Sequence, residues 1–210
     1  MPTPITLDDL LARLTPLMAG PERRIVALAG PPGAGKSYLA ARLVEALAVF
    51  APGRAEILPM DGFHYDDTLL TQRGDLARKG APHTFDVEGL AVTLQRIAAD
   101  DGSVVAVPVF DRAIEIARAA ARLIGPEARL IIVEGNYLLL DDPRWERLAE
   151  RFDLRVFIQV PERTLEQRLA RRWAHLSAAQ RETKLEGNDL PNMRLVLQHG
   201  SCADLYLDNG

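Results

Sequence analysis

The stretch RIVALAGPPGAGKSYLAARLVEALAVF, Arg24 to Phe50, decides the fold. An apolar run of strand type, Ile25 to Ala29, enters GPPGAGKS at Gly30 to Ser37, and a helical pattern, Tyr38 to Phe50, leaves it. G-x-x-x-x-G-K-S between a strand and a helix is the spacing of a phosphate-cradling loop. Its glycines let successive backbone N–H groups turn inward around phosphate oxygens, and the helix that starts there adds its positive end. The expected nucleotide contacts are Gly30, Pro32, Gly33, Ala34, Gly35, Lys36, Ser37 and Tyr38. Among them Lys36 would reach the outer phosphates and Ser37 would ligate magnesium. The plain alternative, a glycine-rich turn that binds nothing, leaves both flanking elements to coincidence.

Working outward, short apolar runs recur at Arg24 to Ala29, Ala55 to Met60, Arg129 to Glu134, Leu154 to Val160 and Ala203 to Leu207, with helical segments between them. This alternation predicts an α/β fold: a three-layer sandwich of the P-loop NTPase kind, with a central, mostly parallel, doubly wound five-stranded sheet. Ligands of such sheets bind beyond the carboxyl ends of the strands. A long insert, Asp61 to Pro126, separates the second and third runs; it holds a helical pattern at Val87 to Ala99 and an extended piece at Val104 to Phe110. The insert is expected to supply a substrate pocket. Pro52-Gly53, Gly125-Pro126 and Asp142-Pro143 read as turns, not linkers, so residues 1–210 are expected to form one domain. Thr6 followed by Asp8 and Asp9, with leucines at 7, 10, 11, 14 and 17, predicts a capped amphipathic helix lying on that domain.

Composition narrows the class of ligand. With 48% hydrophobic and 26% charged residues the chain is ordinary globular material, and its net charge of −4, with basic residues interspersed among acidic ones, gives nucleic-acid binding no support. A small-molecule substrate is the natural expectation. The single cysteine, Cys202, excludes an intramolecular disulfide and offers no zinc framework, which fits a reducing compartment. Asp8, Asp9 and Arg13 interrupt the N-terminal apolar residues, and no run reaches membrane length, so a cytoplasmic protein without membrane attachment is expected. Nothing in the sequence marks a symmetric interface, and a homodimer stays open.

Two acidic residues sit where phosphoryl-transfer chemistry needs them. Asp61, in PMDGFHYDD after the second strand, stands opposite the phosphate loop and can accept a hydroxyl proton. The plain reading is a turn aspartate before Gly62. Asp66 and Asp67 compete for the role and could equally cap a helix at Thr68 to Gln72. Glu134 closes the third strand, the position of an acidic residue that holds magnesium directly or through water; a capping carboxylate is the alternative. Asn136 shares its loop.

On GPPGAGKS, MDGFH (Met60 to His64), QRGDLARKGAPHTFD (Gln72 to Asp86), PVFDR (Pro108 to Arg112) and VEGNYLLL (Val133 to Leu140), the chain resembles the uridine kinase, phosphoribulokinase and bacterial pantothenate kinase group of P-loop small-molecule kinases. The resemblance implies ATP and Mg²⁺, Asp61 as general base, Lys36 on the phosphates, and a helical lid that brings arginines over the transferring group. The lid candidate is PERTLEQRLARRW, Pro161 to Trp173, within a lid region spanning 161–187. On it Arg168, Arg171 and Arg172 share a face, and Arg168 and Arg172 are the favoured catalytic cations; the alternative is a solvated face paired with Glu162 and Glu166. Arg73, Lys79 and Arg112 are expected substrate contacts, Arg112 because the resemblance places it at the acceptor site. His64 could hydrogen-bond a substrate hydroxyl, and Phe63, Tyr65 and Phe85 could line the pocket. His83, His175 and His199 read as structural. The closing stretch, Gly187 to Asn209, reads as loop, helix and strand, and resembles a subset named for a fructose transport system kinase. No residue selects between a sugar, a nucleoside and a pantothenate-like acid. The expectation is therefore an enzyme that moves the γ-phosphoryl of ATP to a hydroxyl of a small metabolite. The rival is a regulatory P-loop ATPase switch with no acceptor; a guanine-reading NKxD is absent from the sequence.

Overall fold

The computed structural model describes residues 3–200 and 203–210; Cys202 lies outside them. The helices are α1 (Leu7–Leu14), α2 (Lys36–Ala48), α3 (Asp67–Arg73), α4 (Val87–Ala99), α5 (Pro143–Glu146), α6 (Glu162–Arg172), α7 (Ala178–Lys184) and α8 (Leu190–His199). The strands are β1 (Arg24–Ala29), β2 (Ala55–Pro59), β3 (Val105–Asp111), β4 (Ile116–Ile124), β5 (Leu130–Gly135), β6 (Leu154–Gln159) and β7 (Leu205–Asp208).

Five strands build the central sheet in the order β2-β5-β1-β6-β7, and all four pairings are parallel. β1 and β5, two of the three inner strands, are near-continuous apolar runs because both faces are covered. One apolar layer packs Leu39, Leu43 and Leu47 of α2 and Leu10 and Leu14 of α1 against Val26 and Leu28. The opposite layer packs Leu90, Leu94 and Ile97 of α4 with Trp145 and Tyr137 against Ile25, Ala27 and Ile131. The expected sandwich is therefore present. The helix ends follow local chemistry: Thr6 and Asp9 close a capping box on α1, and Asp86 caps α4 through the Gly89 amide at 2.9 Å.

The insert differs from expectation in one element. The extended piece near Val104 is not alone: β3 pairs antiparallel with β4 in a separate two-stranded sheet, with a register shift between Val107 and Val109. β4 reads IARAAARLI, and alanine and arginine are weak strand formers, so propensity alone hid it. Smaller corrections concern edges. β2 ends at Pro59, and Met60–Phe63 turns into a short 3-10 helix, so Asp61 sits on that turn and not on the strand itself. A five-residue π-helical segment, Leu185–Asp189, joins α7 to α8.

Candidate active site

The ends of β1, β2 and β5 open into one cleft of about 440 Å³. On its floor Gly33, Gly35, Lys36, Ser37 and Tyr38 come from the glycine loop and the first turn of α2, with Pro32 beside them. Gly30 and Ala34 lie behind the loop, Gly30 against Ile158 of β6 and Ala34 fully buried. Gly35 has φ +87°, a conformation glycine takes at little cost, and this lets the chain turn straight into α2.

Charge is concentrated at this floor. Lys36 is buried and its ammonium donates to the Pro31 carbonyl at 3.0 Å. Burial pushes its pKa down to about 8, against the opposing pull of Glu134 and Asp61. Glu134, at the end of β5, is likewise buried, and its Oε1 accepts from the Ser37 hydroxyl at 3.0 Å. Loss of water, reinforced by the like charge of Asp61, pushes its carboxyl up to about 7. Magnesium takes hard oxygen ligands and in phosphate-bearing sites keeps few from protein. The Ser37 hydroxyl and Glu134 carboxylate are such a set, and among the described residues no group of three or more His, Cys, Asp or Glu forms a protein-only cage. These residues fit Mg²⁺.

Asp61 faces the floor from the 3-10 turn. Its Oδ2 accepts from the Arg112 guanidinium at 2.7 Å, an ion pair across the insert between the turn and the β3–β4 hairpin. The turn lies hard against β3: a Cβ on Gly62 would stand 2.4 Å from the Pro108 carbonyl oxygen. The glycine of MDG is thus needed for close approach. The competing aspartates have other occupations. Asp66 caps α3, accepting from the Thr68 amide at 2.8 Å, and Asp67 pairs with Lys79.

The far wall carries the insert's other groups. His64 Nδ1 bonds the Asp61 carbonyl at 2.7 Å; a carbonyl only accepts, so Nδ1 holds the proton and Nε2 is left as an acceptor. Burial lowers the His64 pKa, which keeps the ring neutral near pH ~7. Its ring sits between Phe85 and Phe110, tilted to both, with centroids at 4.0 and 4.7 Å. Lys79 reaches over Phe110 at 5.2 Å, and Asn136 lines the same cleft. Of the remaining expected residues, Arg73 stacks on Tyr65 at 4.6 Å, and neither lines the cleft; Phe63 is a core residue. His83 stands 3.6 Å from Asp75 and His175 packs near Trp173, and neither lines the cleft.

The arginine helix separates its residues. Arg172 lines the cleft, whereas Arg168 donates to the Asn209 carbonyl at 2.9 Å and neither it nor Arg171 is among the lining residues. Helical spacing alone cannot make this distinction, because it depends on what packs beside α6. Sequence reading also missed Trp173, Lys184, Asn188, Asp189 and Asn192, which close the cleft from α6 to α8. The Trp173 indole donates to Asp189 Oδ2 at 2.8 Å, and Asn188 donates to the Lys79 carbonyl at 2.7 Å. The two asparagines and Asp189 come from GNDLPN, whose polar residues around a proline were the available signal.

Comparison with known proteins matches this geometry. No family model matches the chain. It is 37% identical over 193 residues to the uncharacterized protein YggC of Escherichia coli (strain K12), covering 90% of this chain and 79% of that one. It is 31% identical over 209 residues to the "Putative uridine kinase C227.14" of Schizosaccharomyces pombe, covering 95% and 89%. The crystal structure of a "putative fructose transport system kinase" from Silicibacter sp. TM1040 superposes with a TM-score of 0.87 at 42% identity, over 96% of this chain and 98% of that one. With a glycine-loop cleft, a parallel sheet in this order and relatives that share nearly its whole length, the chain belongs to the P-loop kinase family of the uridine kinases.

Proposed function

We propose that this kinase transfers the γ-phosphoryl group of ATP, with Mg²⁺, to a hydroxyl of a small metabolite: a sugar, a nucleoside or a pantothenate-like acid. The observation that carries the reading is the Asp61–Arg112 pair, held at 2.7 Å on the wall that faces the phosphate loop across one cleft. An ATPase switch needs a loop and a metal; it has no use for a charged carboxylate presented to a second, aromatic-walled compartment.

Each role follows from an environment. Asp61 takes the proton of the attacking hydroxyl, and Arg112 orients its carboxylate. Lys36 and Arg172 bring positive charge to the floor and mouth, where the oxygens of the transferring group gather charge. Arg168, engaged with Asn209, is not assigned this role. Ser37 and Glu134 would hold Mg²⁺, which when bound neutralises charge on phosphate oxygens. His64 Nε2, Lys79 and Asn136 offer an acceptor and donors to the metabolite's hydroxyls, and Phe85 and Phe110 its apolar wall. The domain extends over 1–210, with 61–126 as the substrate insert and 161–187 as the lid region, and a homodimer in the cytoplasm is compatible with it.

ADP release from Mg-ATP, measured across a panel of sugars, polyols, nucleosides and pantothenate-like acids, tests the reading. One acceptor should raise turnover strongly, and Asp61→Asn should lower the stimulated rate by roughly 10² to 10⁴. A hydrolysis rate indifferent to every metabolite and to Asp61→Asn would favour the switch.

A further inference from the structure

We propose that Asn209 is a positioning residue for the phosphate loop: its side-chain amide fixes the direction in which the Gly35 N–H points, and Arg168 holds Asn209 in place. Asn209 lies just beyond β7, 175 residues from the loop in sequence, yet its Nδ2 donates to the Ala34 carbonyl at 2.8 Å. Contact is tight enough that a Cβ on Gly35 would stand 2.9 Å from the same Nδ2. Two further bonds fix Asn209 itself. Its backbone N–H donates to the Gln159 carbonyl at the end of β6, at 3.0 Å, and its carbonyl accepts from Arg168 of α6 at 2.9 Å.

The consequence comes from peptide geometry. A trans peptide is planar, so the C=O of residue 34 and the N–H of residue 35 point in opposite directions. Anchoring the Ala34 carbonyl on the β7 side therefore aims the Gly35 N–H toward the cleft, which Gly35 lines. Without the anchor that peptide has little to hold it: Gly35 sits at φ +87°, and α2's backbone bonding starts only at its carbonyl, which accepts from Leu39 at 2.9 Å. Glycine crosses between conformations readily, so a flip of the 34–35 peptide is the motion that Asn209 opposes. The rest of the loop is held by packing, Gly33 against Leu165 and Leu169 and Gly30 against Ile158, and by the Ala34 amide and Lys36 ammonium on the Pro31 carbonyl, at 3.1 and 3.0 Å; none of these holds the 34–35 peptide. Arg168 thus acts on nucleotide through Asn209, which gives the arginine helix a mechanical link to the phosphate cradle. This inference rests on the phosphate loop binding nucleotide.

The test uses two ligands, Mg-ATP and Mg-tripolyphosphate, titrated by calorimetry against the full chain, with thermal unfolding followed in parallel. Asn209→Asp keeps the shape and replaces the donor by an acceptor; Asn209→Ala removes both. The loss of one oriented hydrogen bond corresponds to about a tenfold weakening. Both variants should weaken both ligands by that same factor, and Arg168→Ala should act in the same direction, with less than additive effect in the double variant Arg168→Ala/Asn209→Asp. Should Asn209→Ala fail to fold, the isosteric Asp variant carries the result. Tripolyphosphate affinity unchanged in Asn209→Asp overturns the inference, because a residue that touched only the base or stiffened only the fold would leave that ligand alone. A wild type that binds neither ligand overturns the phosphate-loop reading itself, and this inference with it.

Discussion

Gly35 carries more of the chemistry than its size suggests. Its φ of +87° and the 2.9 Å approach of Asn209 exclude a side chain for two separate reasons. Gly35→Ala should cost about 1–2 kcal/mol in left-handed strain alone, visible as a lowered Tm, and should weaken Mg-ATP binding by at least about tenfold; unchanged affinity would remove the cradle geometry argued for this loop. Glu134 makes a prediction in pH. Its folded pKa of about 7 lies above the ordinary 4.5, so between those values the folded state holds a proton that the unfolded chain releases. Its contribution to stability is therefore present below about pH 4.5 and is lost as pH rises through 7. In the absence of nucleotide and metal, thermal unfolding of the wild type should show this loss and Glu134→Gln should lack it; equal slopes would contradict the buried-carboxylate account. Lys36, Ser37, Asp61 and Glu134 were legible in sequence because each sits at a fixed distance from a strand end, and the strand end fixes the cleft. Arg168 and Arg172 were not separable, since four positions on a helix differ by little in direction and only the Asn209 carbonyl decides between them.

Among the elements, the junction of α4 with β5 is held by a buried arginine. Arg23 donates to the carbonyls of Ala128, Ile97 and Gly125 at 2.9, 3.0 and 3.0 Å and pairs with Asp100 at 2.9 Å. Two of those carbonyls flank the junction: Ile97 belongs to the last turn of α4, and Ala128 precedes β5. Removing the guanidinium would take the Ala128 carbonyl's partner and one of two donors from the Ile97 and Gly125 carbonyls, which also accept from the Asp100 and Ala128 amides, and Arg23→Ala should cost roughly 2–4 kcal/mol. Chemical denaturation checks this; a change under about 0.5 kcal/mol would mean that water replaces the guanidinium at no cost. With Asp100 neutralised Arg23 still has its three carbonyl acceptors, so Asp100→Asn should cost less than Arg23→Ala. The same junction shows where sequence reading stops. β1 and β5 were legible because burial on both faces writes them as apolar runs, IVALA and LIIVE, and shorter apolar runs marked the half-buried β2, β6 and β7. β4 was not, because a two-stranded ribbon with one solvated face can be built of alanine and arginine, and its pairing with β3 is decided by the hairpin. The π-helical segment before α8 escaped for a related reason: its Asn188 is ordered by the Lys79 carbonyl, 109 residues away.

At the scale of the molecule, the parallel sheet brings one strand end from each of three chain segments to a single edge, and the insert folds back over it. The glycine-loop floor and the aromatic wall are then opposite sides of one space. Under the proposed function, transfer and not hydrolysis follows when the compartment opposite the phosphates is filled by a hydroxyl in place of water, with Asp61 proposed as its proton acceptor. Phosphorus NMR of the reaction with the stimulating acceptor reads this directly, because it shows where the terminal phosphorus of ATP goes. The account predicts a phosphate monoester of the metabolite, formed in step with ADP and nearly absent with Asp61→Asn. Inorganic phosphate as the sole new product, at a rate the metabolite does not change, would contradict it.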